Sequence, residues 1–417
     1  MSAAPVASPL RNAARSLQVP AFRAWFASQV LSASGTTTQS VAQSWIVLSI
    51  TGHPINLGVL AAVSWAPVLL CSAWAGAVSD RVDRRRLLFI TQTLFIVICA
   101  VQAVLLAENR LTLWMIYTCA AAGGLVTAFD NPTRGAYVFE LVGREQIASA
   151  IGLNEIVLNT SRVLGPALGG LLLANVGATW CFVFNAASFV PVLFVLLAYP
   201  TQRAVVARRD ATAKRADGGV REGVAFAFRT PGVRSCIFIA MAGGMLFGLG
   251  VTVPILTTKA FHLGPGGFGA MMACFGLGAL PGAIAAASAA ERPTGMRVHT
   301  LTALTGCAVV LTAFSPTPIG AFIGIALAGF LSIWLISLAT AMVQLMAGAQ
   351  MQGRIMGIWT MAMPGLSPFT AMLISWIGQV AGGRWAFSLS GLALLLVAVV
   401  TFPVLRRVEA PAEVLAA

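Results

Sequence analysis

The chain has 417 residues, of which 58% are hydrophobic and only 9% charged, with a mean hydropathy of +0.87 and a formal net charge of +13. A soluble domain carries about a quarter charged residues to keep its surface wet, so this composition excludes an ordinary cytosolic enzyme. Dividing the apolar content by the roughly 20 residues that cross a bilayer gives about a dozen helices.

In chain order, residues 1–20 lack an apolar core and read as a short tail, not as a cleaved signal peptide. Apolar windows bounded by charge or Gly/Pro clusters then predict twelve spans. Their limits are 24–50, 55–79, 87–107, 111–130, 147–175, 179–199, 234–259, 266–290, 298–315, 317–347, 355–380 and 385–405. The first span is unusually polar. Its Gln39 and Gln43 stand at i and i+4, on one helix face, as a cavity lining would need. Helix–helix hydrogen bonding is the alternative use of such residues.

The loop after the second span reads Gly76-Ala-Val-Ser-Asp80-Arg81-Val-Asp83-Arg84-Arg85-Arg86. Gly76 permits close backbone approach at a helix end, and Asp80 suits the N-terminus of a helix in the other half. A basic topogenic loop would account for the arginines but not for the Gly-Asp-Arg order. Asp130 closes the fourth span beside Asn131-Pro132, which predicts a cap at a turn.

The fifth span holds two ionisable groups, Glu155 and Arg162. They are about two turns and 10 Å apart and share one helix face. Charges at such depth cost at least about 2.5–3.5 kcal/mol, so they mark a site or pathway. Glu155 is expected to exchange a coupling proton, because desolvation disfavours its charge, with Arg162 as its partner. A static charge network is the alternative. The same span contains Gly165-Pro166-Ala167-Leu168-Gly169-Gly170. Gly165 and Gly169 form a small-residue face, and Pro166 removes a backbone donor and bends the helix. Further along, residues 201–233 form a basic linker, and Met241, Phe247, Trp334 and Gln344 are weaker cavity candidates.

The basic residues set the orientation. With a cytoplasmic N-terminus, Arg110, Lys259 and Arg384 fall outside and Arg162 lies within a span, while the other 22 of 26 fall on the cytoplasmic side. The net charge is therefore a topology signal and not a nucleic-acid surface. Shifting the chain by 211 residues places Arg23 on Arg234, Pro54 on Pro265, Gly58 on Gly269 and Asp80-Arg81 on Glu291-Arg292; a shift of 210 places Gly143-Arg144 on Gly353-Arg354. Two six-helix halves follow, over 1–200 and 234–417, joined by the linker 201–233. Such repeats bind substrate near the midplane. The seven cysteines are scattered singly, as small packing residues. The histidines, His53, His262 and His299, lie in predicted loops and form no metal-ligand set. No phosphate-binding loop is present, so ATP is not expected to drive the protein.

Residues 76–86 resemble the loop 2–3 signature of the major facilitator superfamily, and residues 165–170 are similar to the antiporter motif of its exporters. Ala128-Phe-Asp130-Asn-Pro132-Thr-Arg134, Glu140-Leu, Arg144-Glu145, Arg221-Glu222-Gly223 and Gly353-Arg354 are similar to the branch of enterobactin-exporter-like, transmembrane secretion effectors. The resemblance covers essentially the whole chain. It implies an all-α polytopic membrane protein with the major facilitator fold, alternating access and secondary export, commonly coupled to protons. Asp80, Arg81, Arg84 and Arg85 would form a gating loop, with Glu291, Arg292, Gly353 and Arg354 as its second-half counterpart. Two positions depart from the pattern. Asp83 stands where the signature usually has glycine, and the fourth span lacks an embedded Arg, Arg134 following it in the loop.

The expected function is export of small, amphipathic molecules such as drugs, siderophores or metabolites by proton-coupled antiport. A nutrient importer or facilitator is the alternative on the same scaffold, and no constellation for an integral membrane enzyme is visible. The expected partners are a small-molecule substrate, the lipid bilayer and protons, with no cofactor, no metal and no nucleic acid. The expected form is a monomer in a bacterial inner membrane with both termini cytoplasmic.

Overall fold

The computed structural model describes residues 15–79, 81–199, 219–289 and 293–408. Among these the protein is helical throughout, with no strand. A 3-10 turn over Arg15–Gln18 precedes α1 (Pro20–Thr51), α2 (Ile55–Ser79), α3 (Arg84–Ala107), α4 (Leu113–Asn175) and α5 (Ala178–Ala198). Then follow α6 (Gly219–Arg229), α7 (Pro231–Phe247), α8 (Leu249–Lys259), α9 (Pro265–Ala289) and α10 (Gly295–Ala313). The last three are α11 (Pro318–Gly365), α12 (Ser367–Val380) and α13 (Gly383–Leu405).

Nine of the described helical segments are long and apolar enough to cross a membrane, and the bent pair α7–α8 makes a tenth. The other two expected spans are α1, whose Gln, Ser and Thr content lowers its hydropathy, and α12, which is 14 residues long. The exposed Leu, Val, Ile and Phe side chains on these helices, such as Leu70, Phe194, Ile284 and Val399, are the surface a bilayer would cover.

The structure corrects several boundaries. The fourth span does not stop at Asp130. Helix α4 runs on through Pro132, and its two arms meet at Gly143, which leaves the helical region at φ 70° and ψ 180°. Only glycine adopts that conformation without strain. Pro132 removes the bond to the Ala128 carbonyl without ending the helix, a loss that membrane helices tolerate, and Thr133 Oγ1 donates to the next carbonyl, that of Phe129, at 2.6 Å. Arg134 is therefore helical, not in a loop. His299, expected in a loop, lies in α10 with its ring 4.9 Å from that of Phe402. The seventh span is broken by 45° at Gly248, whose ψ of 38° is not helical.

The two halves share their turns. Gly52 (φ 65°) ends α1 and His262 (φ 54°) follows α8, both left-handed and 210 positions apart. Gly177 (φ 94°, ψ 168°) and Gly382 (φ 90°, ψ 171°) each lead into the last helix of a half. A close backbone approach repeats as well. A Cβ at Gly124 would overlap the carbonyl oxygen of Ser64, and one at Gly329 that of Phe275. Ser64 and Phe275 are 211 residues apart, the offset of the sequence repeat.

Contacts divide the chain into two compact units, Met1–Gln43 with Val63–Arg208, and Ser44–Ala62 with Arg209–Ala417. In the first, Phe22, Trp25, Leu88, Tyr137, Val142, Leu153, Val192 and Leu196 form a core at the end where α1 and α3 begin and α5 finishes. In the second, Gly278 and Gly282 of α9 seat against the backbone at Ala326 and Phe330 of α11, so small residues again set the helix spacing. The segment 44–62 joins that unit through Trp45, stacked on Phe268 at 5.7 Å, and Gly58, where a Cβ would lie 2.9 Å from Met372 Cα.

Candidate functional site

The charged residues of the first unit are tied into its helix ends. Asp83, in the place of the signature glycine, is the N-cap of α3 and accepts from the Arg86 amide at 3.0 Å. A side-chain cap of this kind satisfies one of the orphan amides of the first turn. Arg84 pairs with Glu140 of α4 at 2.5 Å. Arg85 donates through Nε to the Leu196 carbonyl at 2.5 Å and through Nη2 to that of Leu197 at 3.1 Å, closing the C-terminus of α5. Arg81 is exposed. Gly76 is half-buried, and among the described residues no atom lies within 4 Å of where its Cβ would be. Asp80, Glu291 and Arg292 lie outside the described residues, as do the side chains of Glu155 and Arg354 with the surroundings of Gly353.

Residues 165–170 make the tightest helix contact of the first unit that the sequence singles out. A Cβ at Gly165 would overlap the Thr37 hydroxyl and lie 2.9 Å from the Ser34 carbonyl oxygen. One at Gly169 would stand 3.0 Å from Val41 Cβ and 3.1 Å from the Thr38 carbonyl oxygen. The approach is stitched by hydrogen bonds, with Thr37 Oγ1 donating to the Ser161 carbonyl and Thr38 Oγ1 to that of Gly165, each at 3.0 Å. Pro166 and Gly170 are buried alongside. Arg162, on the same arm of α4, is half-buried and engaged in an interaction of its own.

Asp130 does not cap a turn. It is 2% exposed in mid-helix, where Thr91 Oγ1 donates to Oδ1 at 2.8 Å and Gln92 Nε2 donates to the same oxygen at 2.7 Å. Its Oδ2 pairs with Arg134, one turn on. The reason lies in the helix continuation. Once Pro132 is accommodated, positions 130 and 134 share a face that meets α3, and a buried carboxylate needs donors on every side. Thr91, Gln92 and the pairing role of Arg134 were not found from sequence. An i, i+4 Asp–Arg spacing was their one signal.

Gln39 and Gln43 both reach into the bundle. Gln39 Oε1 accepts from Asn185 Nδ2 at 2.8 Å and from Cys99 Sγ at 2.9 Å, joining α1, α3 and α5. Gln43 Nε2 donates to Gln102 Oε1 at 3.4 Å. These bonds are the helix–helix use of polar side chains. In the second unit, Trp334 is half-buried with its indole N–H unpartnered and its ring edge-on to Phe330, and Gln344 is half-buried. A cleft of about 140 Å³ between Trp45, Ser49, Gly52, Thr258 and Lys259 is below the roughly 300 Å³ of small-molecule sites and offers no seat for a bulky solute.

The sequence profile of the transmembrane secretion effector family matches residues 11–414. The chain is 25% identical over 393 residues to a staphyloferrin A transporter of Staphylococcus aureus, covering 93% of this chain and 97% of that protein. It is 25% identical over 390 residues to the multidrug efflux pump Tap of Mycolicibacterium fortuitum, covering 90% and 94%. It is 26% identical over 395 residues to the enterobactin exporter EntS of Escherichia coli, covering 93% and 92%. Its fold matches the nucleoside transporter NupG with a TM-score of 0.68 at 9% identity, covering 92% of this chain and 99% of that one. It also matches a bacterial homologue of the iron transporter ferroportin with a TM-score of 0.67 at 15% identity, covering 92% and 98%. A multi-pass helical chain with repeated halves, matched from end to end by this profile, belongs to the transmembrane secretion effector family of major facilitator superfamily transporters.

Proposed function

We propose that this transporter exports small amphipathic molecules across a bacterial inner membrane by alternating access, in exchange for protons. The observation that carries the reading is the seating of Gly165 and Gly169 on α1. This glycine face with Pro166 is the antiporter-type element, and its closeness leaves no room for solute or water between those two helices. The relatives that bear the names of a siderophore exporter and an efflux pump support the direction. The distribution of Lys and Arg supports cytoplasmic termini.

In this reading residues 1–200 and 234–417 are the two rocking bundles and 201–233 their cytoplasmic linker, in a monomer. Trp334 and Gln344 contact the solute, and Gln39 and Gln43 do so when the helix–helix bonds they make in this structure open. The gating role belongs to Gly76, Asp80, Arg81, Arg84 and Arg85, with Glu291, Arg292, Gly353 and Arg354 in the second half. The intramembrane groups Glu155, Arg162 and Asp130 carry the coupling.

Inverted membrane vesicles from cells expressing the protein test this, with ethidium and a panel of amphipathic anions as probes. Probe accumulation should begin on acidifying the vesicle lumen and collapse with nigericin. A panel without any proton-dependent accumulation, together with an unchanged extracellular metabolite profile on deletion and overexpression, would refute the export reading. Probe entry into intact cells without a gradient would favour a facilitator.

A further inference from the structure

Helices α10 and α13 pack antiparallel within the second unit, and their two ends use arginine differently. At one end Arg384, which opens α13, donates through Nη1 to the carbonyls of Ala313 and Ser315 at 2.9 and 2.7 Å. Its guanidinium also lies 5.1 Å from the centre of the Phe261 ring, so the protein holds this cation on two sides. At the other end a Cβ at Gly295 would overlap the Leu405 carbonyl oxygen, and the Gly295 amide donates to the Val408 carbonyl at 3.1 Å. This close approach brings Arg297, on the first turn of α10, to the same end as Arg406 and Arg407, which follow α13.

All three of these arginines are exposed. Arg297 has an interaction of its own. The Arg406 guanidinium lies 5.8 Å from the centre of the Phe402 ring, and neither it nor that of Arg407 has an ion-pair or hydrogen-bond partner among the described residues. Phe402 is itself exposed and packs on the half-buried ring of His299 at 4.9 Å, and His299 Nδ1 has no hydrogen-bond partner. The sequence holds no Asp or Glu between 293 and 408, so no acid on α10 to α13 can answer the charge. Glu291 and Glu409, which flank that stretch, lie outside the described residues.

Away from the arginines the surface turns apolar. Leu392, Leu396 and Val399 recur on one face of α13, and Met296, Leu304 and Leu311 on one face of α10, all of them exposed. On a membrane helix such faces are covered by acyl chains, and arginines at the helix ends reach headgroup depth. A ligand that fits both has a negative headgroup and long apolar tails. Free phosphate lacks the tails, and a zwitterionic lipid carries no net charge.

We propose that the cytoplasmic ends of α10 and α13 form a binding site for an anionic phospholipid of the cytoplasmic leaflet. Arg406 and Arg407 donate to the phosphodiester oxygens, and the acyl chains lie along the exposed faces of the two helices. Basic sites between membrane helices on this side suit such headgroups. Phe402, beneath the Arg406 guanidinium, marks the depth at which headgroup gives way to chain. The inference takes from the proposed orientation that this end is cytoplasmic, and it is independent of what is exported and of what drives export.

Native mass spectrometry of the full-length protein, released from mixed micelles of phosphatidylglycerol and phosphatidylcholine, tests this without transport. Wild type should retain phosphatidylglycerol in preference. Arg406→Gln should weaken that retention about fivefold, and Arg406→Gln with Arg407→Gln about thirtyfold. Arg86→Gln, which removes an exposed arginine at the start of α3 in the first unit, should leave it unchanged. Equal losses in Arg86→Gln and Arg406→Gln would reveal a diffuse attraction to basic helix ends and overturn the site. Equal retention of the two lipids by wild type, or preference kept by the double glutamine variant, would overturn it as well. Displacement of the lipid by inorganic phosphate would show that only the charge is read and would overturn a phospholipid as the ligand. Arg406→Lys with Arg407→Lys keeps the charge and should keep the preference; its loss there would make the effect structural and refute the proposal. Export that fails with this retention intact refutes the export reading alone, and retention that fails with export intact refutes this site alone.

Discussion

Replacing Gly165 by alanine asks whether the contact between α1 and α4 holds the first unit together. The new Cβ would fall on the Thr37 hydroxyl, 2.5 Å from Thr37 Cβ and 2.9 Å from the Ser34 carbonyl oxygen. Since the Cβ and a carbonyl cannot swing aside, the helices must separate. Overpacking of this kind costs about 1–3 kcal/mol. Separation also lengthens the bonds from Thr37 to Ser161 and from Thr38 to Gly165, each worth about 0.6 kcal/mol in a membrane bundle. The total is about 2–4 kcal/mol. Thermal unfolding in detergent, followed by a thiol-reactive dye that reports exposure of buried Cys99 and Cys181, measures it. At about 2–4 °C per kcal/mol for a unit of this size, the midpoint should fall by roughly 4–16 °C. Gly169→Ala, with contacts of 3.0–3.3 Å, should fall between that and Gly76→Ala, which meets nothing within 4 Å and should leave the midpoint unchanged. Thr37→Gly combined with Gly165→Ala should recover part of the loss. If Gly165→Ala unfolds no earlier than Gly76→Ala, the contact does not set the helix spacing and the reasoning fails.

Arg134→Met leaves the Asp130 carboxylate, 2% exposed, without its counter-ion and should destabilise by about 3–5 kcal/mol, whereas Arg134→Met with Asp130→Ala should recover most of it, read by the same unfolding midpoint. Gly124→Ala and Gly329→Ala should destabilise by similar amounts, about 1–3 kcal/mol each, because both place a Cβ on a neighbouring carbonyl; unequal costs would argue against structurally equivalent halves. Gly143→Ala, at φ 70° and ψ 180°, should cost about 1–3 kcal/mol through backbone strain, since its Cβ would meet nothing within 4 Å among the described residues. A double-mutant cycle of Arg84→Ala and Glu140→Ala should return a coupling of at most about 1 kcal/mol, because both side chains are a quarter exposed.

Much of this protein could be read along the chain. The all-helical, multi-span character and a repeat near 211 residues were legible because apolar length and Gly/Pro punctuation are local properties. The shared backbone at Gly177 and Gly382 gives the repeat a structural form. The six-residue motif at 165–170 announced a close contact, because glycine spacing and proline leave a recognisable trace. The loop at 76–86 was legible only in part. Arg84 and Arg85 are anchored by Glu140 and the α5 carbonyls, and the glycine there meets no atom within 4 Å among the described residues.

By itself the sequence determined that the chain lives in a bilayer, that it is built twice, and where glycine lets helices meet. Each follows from composition or spacing within a few turns of helix. Tertiary structure alone decided the rest. Asn131-Pro132 reads locally as a helix end, yet α4 continues through it with one backbone hydrogen bond fewer. Asp130 then finds Thr91 and Gln92, 39 and 38 residues away, and Thr38 reaches Gly165 across 127. A buried carboxylate needs donors, but nothing in its own neighbourhood says which distant helix supplies them. Packing makes that choice, and it turns an apparent turn residue into the charge centre of the first unit.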